Sequence, residues 1–295
     1  MSTTLLVLFS LTVAGFFLFA LCSNLIYWYE TLNTPDARIP SPRPGLVVCL
    51  RMYFACLGGY FLCVGLFPFA PFIRRKPGRA AKGEKAGLPP VILVHGLNNN
   101  AAVWLYIARR LEKAGYRVST FSYSSFFVPL EKIMEGLDAH VRLVRDAADG
   151  RRPLFVCHSL GGLLVRRWLM AEGNSARCGG LVTLSTPHQG SKMAALAPGR
   201  TGQSIRPTAS LILELRAAEA RMRDEGAGLL RTALASPTDE AVLPSVGLVP
   251  PLPPDGGWKL RITPRTGHFT MLFWPGVGDM LLEELASCQA RPEEG

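Results

Sequence analysis

Ser159 stands in the stretch FVCHSLGGLL, Phe155 to Leu164. An apolar run that reads as a strand passes through this serine into a run that reads as a helix. A hydroxyl on such a tight turn is held in a strained backbone conformation, exposed at the strand's end, where it can act as a nucleophile. The turn requires small residues two positions to either side. Gly161 supplies one. On the other side Cys157 replaces the glycine of the usual G-x-S-x-G pattern. Cysteine is still small, so the pattern is relaxed without losing its steric logic. Read without chemistry, the same residues are a helix N-cap followed by packing glycines.

A nucleophilic serine needs a base, a group to orient that base, and donors for the developing oxyanion. The chain has 5 histidines. His268, in GHFTMLFWPGV, is expected on a loop after the strand Lys259–Ile262 and before the last helix, where it can reach the serine. His140 reads as mid-helix, and His158 is expected to point away from the site. His95 is expected to shape its loop. His188, in STPHQGS, is the rival base. The acid is expected between serine and histidine in chain order. Asp239, in SPTDEAVLP after the apolar run Leu229–Leu234, takes that place, with Glu240 and Asp255 as alternatives. The stretch HGLNNN follows the first strand of this region. It is expected to bring the backbone N–H of Leu97 into position to pair with that of Leu160 as the two oxyanion donors.

Short apolar runs alternate with amphipathic segments around these residues. VILVH, YRVSTFSY, PLFVCH and GGLVTLS read as strands. Ala102–Ala114, Leu130–Ala148 and Leu160–Ala171 read as helices, the second with Ile133, Leu137, Val141 and Val144 at three- and four-residue spacing. Such alternation implies an α/β fold with a mainly parallel sheet covered on both faces. Residues 191–228 are the least legible part. They hold one helix around Thr208–Asp224 and form a candidate lid or cap, or an ordinary crossover with a long loop.

The chain has 295 residues, a net charge of +10 and 48% hydrophobic residues. The apolar excess is concentrated before residue 73. One uncharged segment runs from about residue 4 to 29 and ends in the cluster Tyr27, Trp28, Tyr29, as an interfacial aromatic belt would. Another runs from about 46 to 72, with Arg51 placed to snorkel. Each is long enough to cross a hydrocarbon core of ~30 Å. A cleaved export peptide fits poorly, because there is no basic leading region and the run is too long. Residues 1–73 are therefore expected to form a two-pass helical hairpin, 74–88 a basic linker and 89–289 the catalytic domain. Arg74, Arg75, Lys76, Arg79, Lys82 and Lys85 follow the second segment, so that domain is expected to face the cytoplasm. The 7 cysteines include no C-x-x-C pair, which argues against a disulfide framework and a zinc site.

With oxyanion loop, serine, acid and histidine in this order, the chain from about Pro89 to Leu285 resembles the α/β-hydrolase superfamily in its lipase and esterase branch. VILVHGLNNN, FVCHSLGGLLVRRWL, LVTLSTPHQGS, SPTDEAVLP and GHFTMLFWPGV are similar to its successive blocks. The resemblance implies an α/β-hydrolase fold, a Ser159–Asp239–His268 triad and ester hydrolysis through an acyl-enzyme. Cys157 departs from the family pentapeptide, and the hydrophobic pair lies outside the family core. The expected substrate is a lipid or other acyl ester at a membrane, with no cofactor, metal or nucleic-acid partner. An acyltransferase using the same triad, and a non-catalytic membrane interaction protein on this scaffold, are the alternatives. Oligomeric state is not legible.

Overall fold

The computed structural model describes residues 3–78, 85, 87–197, 199–225, 229–250 and 257–289. Two long helices come first, α1 (Thr3–Asn33) and α2 (Leu46–Leu66). A 3-10 turn, Phe67–Phe69, carries α2 into the short α3 (Ala70–Ile73). Strands and helices then alternate: β1 (Val91–Val94), α4 (Leu105–Ala114), β2 (Val118–Phe121), α5 (Leu130–Asp146), β3 (Leu154–His158), α6 (Leu160–Leu169) and β4 (Gly180–Leu184). After β4 come α7 (Gly199–Gln203), α8 (Ser210–Glu225), β5 (Arg231–Ala235), β6 (Trp258–Ile262) and α9 (Pro275–Gln289).

The six described strands form one sheet in the order β2-β1-β3-β4-β5-β6, and every pairing is parallel. Parallel strands covered on both faces must be apolar on both, which is why VILV is a continuous run rather than an alternating one. Val91 and Leu93 pack with α4 and α9 on one face. Ile92 and Val94 pack with α5, α6 and α8 on the other. The stripe Ile133, Leu137, Val141 and Val144 is buried, as its helical spacing requires. Chain order reverses at β1, between β2 and β3. In an open α/β sheet, the crevice at the carboxyl ends beside such a reversal is where ligands bind.

The hairpin is docked rather than tethered. Ala20 of α1 meets Cys56 and Leu57 of α2, which fixes the pair. One face of α2 and its continuation then follows the catalytic domain. Met52 packs with Leu243, Cys63 joins the core beneath β1, and Asn100 Nδ2 donates to the Phe67 carbonyl at 3.0 Å. From α1, Tyr27 donates its hydroxyl to the Pro237 carbonyl at 2.6 Å, and Glu30 pairs with Lys192 at 2.9 Å. The outer faces are bare and apolar: Leu11, Leu18 and Leu25 on α1, and Val47 and Phe54 on α2, are each 60–65% exposed. Both helices are long and apolar enough to cross a membrane.

Arg75 is ion-paired with Glu112 of α4 at 2.5 Å, and its carbonyl accepts the Thr120 N–H at 2.9 Å. The start of the basic linker is thus held on the domain, while Arg79, Lys82 and Glu84 lie outside the described residues. The candidate lid at 191–228 divides in two. Leu211, Ile212 and Leu215 of α8 belong to the core over the sheet, so α8 is a crossover helix. Of its described residues, those that border the cavity described next lie between Ser191 and Ile205.

Candidate active site

Ser159 occupies the turn between β3 and α6 with φ 53° and ψ −124°. A side-chain-bearing residue takes that conformation only where its surroundings enforce it. Here the Ser159 N–H donates to the Leu184 carbonyl at 2.9 Å. The Ser159 carbonyl accepts from the Gly162 N–H at 3.1 Å and the Thr186 hydroxyl at 3.0 Å. A Cβ on Gly161 would overlap the Val94 carbonyl oxygen, so glycine there lets α6 lie against β1. A Cβ on Gly96 would stand 2.9 Å from the Ser159 Cβ, so the loop after β1 can close on the serine. Cys157 meets the steric demand by turning its thiol into the apolar core, where burial pushes its pKa well above the ordinary thiol value. It is inert packing there.

His268 reaches the same crevice from the loop after β6. Its Nδ1 lies 2.9 and 3.1 Å from the two carboxylate oxygens of Asp239. With Nδ1–H donating to the carboxylate, Nε2 is the nitrogen left to accept a proton. Ser159 and His268 line one cavity. Burial alone would lower the His268 pKa, but the Asp239 charge and hydrogen bond outweigh it and raise the value. Burial would likewise raise the Asp239 pKa. The facing imidazole and the Ala241 N–H, 2.9 Å away, hold it below the ordinary carboxylate value. The Val242 N–H donates to the same oxygen at 2.9 Å.

Glu240, adjacent in sequence, has a different partner: its Oε2 accepts the His268 backbone N–H at 3.1 Å. Asp239 therefore holds the ring and Glu240 holds the loop. Asp255 lies outside the described residues. Glu240 is buried beside Cys56 and Tyr60 of α2, Asp239 and His268. Burial first, and the Asp239 charge second, push its carboxyl up to about 7. Because this value is raised above that of the unfolded chain, the native state binds the extra proton. Stability then falls as pH rises from about 4.5 through 7. Glu240→Gln keeps an acceptor for the His268 N–H and has nothing to ionise. The variant is expected to match wild type at pH 5 and to melt several degrees higher at pH 8, at about 1.4 kcal/mol per pKa unit and ~2–4 °C per kcal/mol. Melting in detergent at the two pH values checks this, and an unchanged difference between them would contradict it.

The other histidines have separate tasks. His95 stacks on Tyr123, with ring centroids 4.2 Å apart. Its Nδ1–H donates to the Gly96 carbonyl at 2.9 Å, its Nε2 accepts the Tyr123 N–H at 3.2 Å, and burial lowers its pKa to about 4. It is a neutral brace for the loop carrying Leu97. His188, the rival base, is buried against Trp258, 3.0 Å from the Thr183 hydroxyl, with Arg166 donating to its carbonyl. It is not among the residues lining the cavity. His140 lies 3.0 Å from the Ser119 hydroxyl, on α5. His158 does not simply point away. Its Nε2–H donates to the His268 carbonyl at 3.0 Å, and the two rings lie 4.6 Å apart. Sequence reasoning missed this brace, since a residue next to the serine gives no sign of touching one 110 positions away.

Leu97 lines the cavity, and Leu160 is the first residue of α6, where a helix leaves its N–H without an intrahelical acceptor. Among the described residues, no group of three or more His, Cys, Asp or Glu is placed to hold a metal ion.

A model of the alpha/beta hydrolase family matches residues 91–294 of this chain. Among solved structures, the mature lipase BlEst2 of Bacillus licheniformis is similar with a TM-score of 0.56 and 17% identity, over 72% of this chain and 99% of that one. Aspergillus fumigatus lipase B is similar with a TM-score of 0.55 and 17% identity, over 75% of this chain and 61% of that one. At these identities the likeness is one of fold. Comparison with curated proteins found no match.

Proposed function

The chain belongs to the alpha/beta hydrolase family, and from that premise we propose that it is a membrane-anchored serine hydrolase of carboxylic esters, with lipids as its substrate class. The observation that carries the reading is His268, its Nδ1 2.9 Å from the Asp239 carboxylate, lining one cavity with a serine at φ 53°. In this reading Ser159 Oγ attacks the acyl carbonyl as its proton passes to His268 Nε2. Asp239 fixes the ring and stabilises the imidazolium, and the N–H groups of Leu97 and Leu160 bind the oxyanion. The imidazolium protonates the departing alcohol, leaving an acyl ester on Ser159. Water, activated by the now neutral His268, then releases the acid and restores the serine. The raised His268 pKa means that activity is lost as pH falls through it, because only the neutral ring accepts the serine proton. Purified full-length protein is expected to release free acid from p-nitrophenyl esters. Recovery of the acyl group on an added alcohol in place of acid would favour acyl transfer.

The apolar outer faces of α1 and α2 support anchoring through the hairpin. The basic residues directly after it, Arg74, Arg75 and Lys76, favour a catalytic domain on the cytoplasmic side. Fluorescence from a green fluorescent reporter fused after Gly295 is the expected result. Alkaline-phosphatase activity in the parallel fusion, without fluorescence, would reverse the orientation.

A further inference from the structure

The cavity holding Ser159 and His268 has a volume of about 490 Å³, within the ~300–1,000 Å³ of small-molecule sites. The alpha/beta hydrolase match starts at residue 91. A large share of the cavity wall comes from before that point: Phe19 and Ser23 of α1, Tyr60, Cys63 and Val64 of α2, and Phe67. The hairpin therefore builds part of the room in which the serine works.

This wall is fixed in place. A Cβ on Gly59 would stand 3.0 Å from the Phe269 Cβ and 3.2 Å from the Thr270 N–H nitrogen, so the α2 backbone lies directly on the residues after His268. The Tyr60 and Phe269 rings pack with centroids 5.4 Å apart. Glu30 and Lys192 close the other side, tying α1 to the segment that borders the cavity. The wall is also open outward. Val64 and Phe19 line the cavity and yet are 49% and 42% exposed. Leu18 and Phe61 beside them are exposed and apolar too. An acyl chain in the cavity thus meets, at Phe19 and Val64, the same kind of apolar surface that the hairpin presents on its exposed faces.

We infer that the hairpin is the specificity-determining wall of the acyl site, receiving the chain of a long-chain ester dissolved in the bilayer. This rests on the ester-hydrolase reading above. A short acyl group near Ser159 covers less of this wall. A long one runs along α1 and α2, where burying its methylenes beside Phe19 and Val64 contributes binding.

Full-length protein in phospholipid vesicles, assayed with p-nitrophenyl butyrate and palmitate, tests the inference. Val64→Trp fills the cavity from the hairpin side. It is expected to lower kcat/KM for the palmitate at least ~10-fold more than for the butyrate, the scale of discrimination an apolar pocket gives. Leu62→Trp, on the outward face and not lining the cavity, is expected to change neither. Val64→Ala widens the wall and is expected to move preference toward longer chains. Equal loss on both esters with Val64→Trp, or no loss on either, would overturn the inference. Should that variant fail to react with a serine-directed fluorophosphonate, Val64→Ala decides, and an unchanged chain-length preference overturns it. Wild-type protein that turns over neither ester removes the hydrolase reading itself. Turnover without a length-dependent split removes only the hairpin wall.

Discussion

Replacing Ser159 with alanine is expected to lower ester hydrolysis by roughly 10⁴–10⁶-fold while the protein still folds. The proposed chemistry starts with one oxygen, and alanine removes that oxygen and little else. The backbone cost at φ 53° is the same for both residues, and the hydrogen bonds that enforce the turn come from the Ser159 backbone rather than its side chain. The oxyanion donors and the cavity stay, so a small residual rate is expected. Hydrolysis and thermal melting measured on the same preparation check both halves. Activity within a few-fold of wild type would sink the assignment of the nucleophile.

Asp239→Asn is expected to lower kcat by about 10⁴-fold, far more than Glu240→Gln or Asp255→Asn. The Asp239 carboxylate takes the Nδ1–H on one side and the N–H groups of Ala241 and Val242 on the other. An amide can still accept from those two, but it can offer its NH₂ to the ring. Nδ1 would then lose its proton to Nε2, and Nε2 would face the serine as a donor. Glu240 hydrogen-bonds His268 at its backbone N–H and not at its ring, so its neutral replacement leaves the ring's tautomer alone. Kinetics of the three variants at matched folding separate the roles. If Asp255→Asn proved the damaging one, the orienting acid would move while Ser159 and His268 kept their parts.

Much of the scaffold is legible in the sequence, because the sheet is built from runs such as VILV and LFVCH that cannot be anything but buried. The serine is legible for a similar reason. A strand that runs into a helix through Ser159 and Gly161 leaves few backbone solutions, and the reading of Cys157 as sterically adequate agrees with a side chain turned into the core. Adjacent carboxylates are harder. Asp239 and Glu240 differ by one position and contact the same histidine, one at the ring and one at the main chain. Only the path of the loop decides which does which. His158 is invisible for the same reason, since its partner is set by tertiary placement.

The hairpin shows a different limit. Hydropathy gives Tyr60, Val64 and Phe19 the same meaning as Leu11 or Phe54, because an apolar side chain facing lipid and one facing a cavity have the same composition. A two-span anchor joined by a linker describes residues 1–88 by composition, yet does not anticipate that α2 lies on the domain or that Gly59 seats it against the His268 loop. Of the adjacent glycines, Gly59 alone makes a close approach, and a Cβ on Gly58 would meet nothing within 4 Å.

The most direct test of the account is a rapid-quench mass measurement on wild-type protein turning over a p-nitrophenyl ester. A mechanism through Ser159 predicts a burst of p-nitrophenolate, with the acyl mass on the peptide containing Ser159 and its disappearance once substrate is exhausted. The same peptide from Asp239→Asn should acylate more slowly, with label confined to that serine. Steady hydrolysis with no acyl mass on Ser159 under any quench time, or an acyl mass carried by another residue, would contradict the account at its centre.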